Sequence, residues 1–200
     1  SSSSLDENLL PIYQQALADP VEKKLIILHL IGTHPNYQER YPTTFNKFNS
    51  HSNDRVESDL KARNIDPWIR SLRNDYDNAV LYEDHLLAKM LDTLRADHLP
   101  DFRSFTVVSD HGNEVGHELD YAGHSPTTKA GYQVPVIMWS DKLNLTGVNK
   151  DTNLNTAELD QNLMHIMGLK DKSSSNHSYW LDQDYRFTPE VKWPYWENKS

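Results

Sequence analysis

The sequence predicts a layered α/β fold with a largely parallel sheet. Three observations carry this. Residues 23–31 open on two lysines and continue as a run that is apolar on both faces apart from His29, the pattern of a strand inside a parallel sheet. Residues 104–108 form a β-branched and aromatic run of the same kind. Between them, residues 67–96 carry an apolar stripe long enough for one crossover helix.

Taken in order, residues 7–18 read as a helix through Leu9, Leu10, Tyr13 and Leu17, stopped by Pro20. The 23–31 strand ends at Gly32-Thr33-His34, and His29 within it reads as a core histidine. Residues 36–64 are polar, with Tyr37, Arg40, Tyr41, Phe45 and Phe48 as anchors, and are expected to form a long functional loop. Asp66 is the expected N-cap of the long helix, with Pro67 at its first position and Trp68, Ile69, Leu72, Tyr76, Val80, Leu86 and Met90 in its stripe. A third strand is expected over 132–139, beginning near Val136 because Pro135 removes a ladder donor. Residues 141–151 read as loop, with a glycosylation-type triplet at Asn144 to Thr146. A helix over 155–169 ends at Gly168, and an aromatic tail over 170–200, with Trp180, Trp193 and Trp196, is expected to drape over the body.

Two hundred residues suffice for one domain or a large part of one. The formal charge of -9 argues against nucleic acid as the partner, since a phosphate backbone calls for a basic face. Cysteine is absent, which removes disulfides, thiolate ligands and thiol nucleophiles.

The chemistry concentrates where the 104–108 strand ends. Asp110 and His111 follow it, and Gly112 lets the chain leave the strand. Both would share a metal only after that departure. Carboxylate oxygen beside imidazole nitrogen suits zinc or manganese better than magnesium. Glu114, His117 and His124 follow as further candidates. In an open α/β sheet ligands gather at the strands' C-terminal edge, so His34, Asp110, His111 and His124 are expected to converge. Ser109-Asp110-His111 is no triad, because immediate neighbours cannot relay a proton in line, and there is no G-x-S-x-G elbow, phosphate-binding glycine loop or H-E-x-x-H helix. Metal-assisted chemistry on an anionic group remains.

Five blocks then carry a resemblance. Residues 26–42 contain HLIGTH and RYP, residues 76–82 read YDNAVLY, and residues 108–115 contain SDHGNEV, followed by Gly123-His124. Residues 133–139 read QVPVIMW and residues 160–169 read DQNLMHIMGL. In this order they resemble phosphoethanolamine transferases, the sulfatase-like members of the alkaline phosphatase superfamily, and the Gly123-His124 form is closer to the branch acting on the lipopolysaccharide core.

The resemblance implies an alkaline-phosphatase-like α/β/α fold of which residues 1–200 are the C-terminal portion, on the periplasmic face of a bacterial inner membrane and tethered by a segment not in this sequence. It implies zinc, rather than Mn2+ or Ca2+, held by Asp110 and His111. His34 and His124 would bind the phosphate or a second metal, or protonate the leaving group. Glu114 and His117 stay secondary candidates, and Asn113 stands where the family has glutamate. Phosphatidylethanolamine would be the donor and lipopolysaccharide, lipid A or core, the acceptor. The family's threonine nucleophile has no counterpart in these residues, so the chain alone is expected to have little transferase activity. The alternatives are a sulfatase or phosphodiesterase of the same superfamily, or a non-catalytic binding module with a decayed metal site.

Overall fold

The computed structural model describes residues 5–51, 54–96, 102–143, 145, 152–169 and 178–187. The chain divides into two units, Ser1–Asp101 with His111–Val134, and Phe102–Asp110 with Pro135–Ser200. Among the described residues the helices are α1 (Leu10–Ala18), α2 (Arg55–Ala62), α3 (Pro67–Ala96) and α4 (Leu159–Ile166). The strands are β1 (Ser104–Val108), β2 (Glu114–Val115), β3 (Ala122–Gly123) and β4 (Val136–Ser140).

In the first unit, α1 extends a 3-10 turn at Asp6–Leu9 and buries Tyr13 and Leu17, four residues apart on one face. The ammonium of Lys24 donates to the carbonyls of Ala16 at 3.0 Å and Leu17 at 2.7 Å, satisfying acceptors that the helix end leaves open. The run that follows is extended but enters no strand. Leu25, Ile27 and Ile31 are 54%, 76% and 49% exposed, and His29 is exposed rather than in a core. An apolar run specifies burial, but a strand also needs a ladder partner, and none of the described ladders includes this run.

Helix α2 lies within the segment expected to be loop. The side chain of Asp54 accepts from the backbone N–H of Glu57 at 2.8 Å, a capping pair that starts the helix. Glu57 is buried and held by Arg70 at 2.7 Å and Lys61 at 3.3 Å.

Helix α3 is 30 residues, about 45 Å long. Asp66 caps it, its carboxylate accepting from the Trp68 N–H at 2.7 Å. Its buried residues include Asn74, Asn78, Tyr82, Leu86, Met90 and Leu94. Each step of four carries the buried face about 40° further round the axis, roughly 200° in all. The helix therefore meets different partners along its length, Val115 at Arg73, Tyr37 at Tyr76 and Phe45 at Tyr82 and His85. Trp68 and Val80, expected in the stripe, are 68% and 41% exposed. The stripe was placed from apolar residues alone, whereas the start of the helix buries amides.

Asn78, fully buried, holds the 41–48 segment. Its carbonyl accepts from the N–H groups of Lys47 and Phe48 at 2.7 and 2.8 Å, and its amide donates to the Phe48 carbonyl at 2.8 Å. Tyr37 packs edge-on against Tyr76, and Phe45 against Tyr82. Strands β2 and β3 pair antiparallel, Glu114 with Gly123 and Val115 with Ala122.

In the second unit, β1 and β4 pair antiparallel, from Ser104 opposite Ser140 to Val108 opposite Val136. The largely parallel arrangement thus does not extend to the described ladders, both of which are antiparallel. Strand β4 begins at Val136, directly after Pro135, as the missing donor requires. Arg103 closes the open end, its backbone N–H and guanidinium donating to Asp141 at 2.9 and 2.8 Å.

Helix α4 follows a 3-10 turn capped by Asn155. It ends in a Schellman turn, with Gly168 at φ 71° donating to His165 and Leu169 donating to Met164. Of the residues expected to form the aromatic tail, 178–187 are described, and these pack on α4. Trp180 is buried, its backbone N–H donating to Asn162 at 2.7 Å, and Tyr179 stacks on His165 at 3.8 Å. Asn144, Thr146, Trp193 and Trp196 lie outside the described residues.

Candidate active site

The loop from His111 to His124 belongs to the first unit. Gly112 opens it, and the reason for glycine there is close approach. A Cβ at Gly112 would stand 2.0 Å from the Ala130 carbonyl oxygen. The Gly112 N–H donates to Gly131 at 2.9 Å, so the start of the loop is pinned backbone to backbone. The β2–β3 ladder then turns the chain back, and His124 emerges directly after β3.

This brings the two histidines together. Their Nδ1 atoms are 3.2 Å apart and their ring centroids 4.3 Å. The Nδ1 of His111 also lies 2.9 Å from the Gly112 carbonyl oxygen. A carbonyl only accepts, so His111 carries its proton on Nδ1. The Nδ1 atoms of His111 and His124 face each other, so at most one proton lies between them. His111 is left with the Nε2 lone pair, the arrangement that a metal-ligating imidazole takes when its other nitrogen donates to a carbonyl.

His34 stands on a neighbouring loop. Its ring nitrogen is 3.3 Å from the Pro35 carbonyl, and Arg40 donates to the carbonyls of both His34 and Pro35 at 3.2 Å. Asn113 links this loop to the histidine pair, its amide donating to the Thr33 carbonyl at 3.2 Å. That role was not visible in the sequence, where Asn113 stood out only as a replacement for glutamate. Asp110 is exposed in the second unit and joined to His111 by the peptide bond.

Glu114 is fully buried, and its Oε1 accepts from the N–H groups of Glu118 and Leu119 at 2.9 and 3.4 Å, shaping the turn between β2 and β3. His117 sits on that turn beside Arg55, Arg63 and Arg73. Desolvation, followed by the Arg73 guanidinium, holds its pKa below the usual imidazole range, against the opposing pull of Glu114 and Asp77.

Imidazole and carboxylate are donor types that zinc accepts, and the fixed tautomer of His111 suits it. Among the described residues no group of three or more His, Cys, Asp or Glu side chains is close enough to hold an ion. In kind the residues fit zinc; in number they fall short of the three or four protein ligands it usually has.

The family model for sulfatases matches residues 2–169. The chain belongs to the sulfatase family. The matched span contains His34, Asp110, His111 and His124. Within the family, the chain is 36% identical over 146 residues to phosphoethanolamine transferase EptC of Escherichia coli K12, covering 71% of this chain and 24% of that protein. It is 34% identical over 146 residues to phosphoethanolamine transferase CptA of Salmonella typhimurium, with the same coverage. The crystal structure of the C-terminal periplasmic domain of the Escherichia coli EptC protein in complex with zinc superposes with a TM-score of 0.79 at 28% identity. That match covers 99% of this chain and 56% of the other. The sulfatase-family α/β fold is therefore shown, and the chain spans about a quarter of the length of these curated relatives.

Proposed function

We propose that this chain supplies histidines and a metal ligand to a zinc-dependent phosphoethanolamine transferase. The donor would be phosphatidylethanolamine and the acceptor lipopolysaccharide, lipid A or core, at the periplasmic face of a bacterial inner membrane. The observation that carries the reading is the His111–His124 pair, 3.2 Å apart on a loop held by Gly112. Its support is the 36% identity to a phosphoethanolamine transferase across the span that contains it.

Asp110 and His111 would hold zinc, which supplies Lewis-acid neutralisation of phosphate charge. The chain's own residues then have separate tasks. The Gly112 carbonyl fixes the His111 tautomer. His124, exposed beside His111, would hydrogen-bond a phosphate oxygen or give a proton to the departing diacylglycerol oxygen. His34, on the loop tied by Asn113 to Thr33, would contribute a second hydrogen bond to the phosphate. The reading takes the threonine nucleophile from residues outside this sequence and the 200 residues as the C-terminal portion of a single catalytic domain.

The test is transfer by the whole protein carrying this chain, from a short-chain phosphatidylethanolamine to lipopolysaccharide. Replacing His124 by alanine is expected to lower turnover by about 10²-fold or more, the usual contribution of a positioned proton donor. Transfer at the parent rate after His124→Ala would contradict the assignment.

A further inference from the structure

The segments that carry His34 and His124 also wall a cavity of about 480 Å³. Asn36, Tyr37 and Gln38 line it from the loop after His34, and Ala122 from β3, two residues before His124. Trp68 and Asp75 line it from α3. All these residues belong to the first unit.

Its chemistry is one-sided. Among the described residues lining it, Asp75 is the only charged one, with no lysine, arginine or histidine to receive an anion. One oxygen of Asp75 accepts from the Tyr41 hydroxyl at 2.7 Å, which holds the carboxylate in place. Trp68, where an amphipathic helix would bury an indole, is 68% exposed.

A primary ammonium answers each feature. It has three donors and no acceptor. The carboxylate of Asp75 offers a charged acceptor, Asn36 and Gln38 are polar residues of the lining, and an indole face is the best aromatic surface for a cation. We propose that this cavity receives the ammonium of the phosphoethanolamine head group, while the histidines address its phosphate. The inference rests on the transferase reading for the identity of that group, and on the cavity alone for its charge.

The test uses the 200-residue chain labelled with ¹⁵N, following the indole N–H signal of Trp68, which is assigned by its loss in Trp68→Phe. Ethanolamine and a short-chain phosphatidylethanolamine below its micelle concentration are titrated, with glycerol and the matched phosphatidylglycerol as controls lacking the ammonium. The expected result is a saturable shift with both amines and none with either control, weakened about tenfold or more in Asp75→Asn, which removes the charge-assisted hydrogen bond. Absence of a saturable shift, equal response to the controls, or an unchanged affinity in Asp75→Asn would overturn the proposal. A response to ethanolamine without one to the lipid would overturn its assignment to the head group. This readout requires neither zinc nor turnover, so a failed transfer assay with intact ammonium binding counts against the transferase reading alone.

Discussion

Gly112 decides the geometry at the residue scale, and it does so by what it lacks. The sequence offers Gly112 as the residue that lets the chain leave the strand cheaply. The structure puts the requirement in space instead, with the Ala130 carbonyl where a Cβ would be. Replacing Gly112 by alanine must push the chain away from residue 130, and with it the imidazole that Gly112's own carbonyl orients. The expected cost is about 1–3 kcal/mol, in the range of overpacked sites. Thermal denaturation measures the loss, and ¹⁵N shifts of the imidazoles report whether His111 and His124 separate. An unchanged melting temperature with unchanged imidazole shifts would show that the close approach has no consequence. Asp110 and His111 are candidates by residue type and position, and the structure sets His111 beside His124. The role of Asn113 was not legible in the sequence, because its contact with Thr33 joins residues 80 positions apart.

At the scale of elements, α3 is the frame against which the site loops are set. Its length, its cap at Asp66 and the apolar residues of its C-terminal half could be read from spacing. The buried face of its first half could not, because Asn74 and Asn78 are buried there and hydrophobic periodicity does not see a buried amide. Asn78 replaces apolar packing with hydrogen bonds to a loop that has no ladder of its own. Truncating it to alanine leaves the N–H groups of Lys47 and Phe48 unsatisfied, and a loss of about 2–4 kcal/mol is expected. Urea unfolding gives the number directly; a loss below about 0.5 kcal/mol, typical of a surface substitution, would show that water takes over these bonds. Helix α2 had a readable signal in Asp54 and Glu57, outweighed by the polarity of the surrounding segment. The β2–β3 ladder is only two residues on each side, too short for any periodicity to show.

For the molecule as a whole, the α/β class was legible because strand-like and helix-like runs alternate along the chain. Sheet direction was not. The 23–31 run has the composition of a buried parallel strand, but its described neighbours offer it no ladder, and Ile27 is left 76% exposed. An apolar run states that a surface needs covering and is silent about what covers it. The chain spans 24% of the EptC relative and 56% of the solved periplasmic domain. No helix among the described residues is long and apolar enough to cross a membrane.

Calorimetric titration of the 200-residue chain with zinc decides whether Asp110 and His111 are the proposed ligands. A saturable isotherm is expected, weaker than that of a complete four-ligand site and lost when Asp110 and His111 are both replaced by alanine. No zinc binding by the parent chain, or an isotherm unchanged by the double replacement, would contradict that assignment.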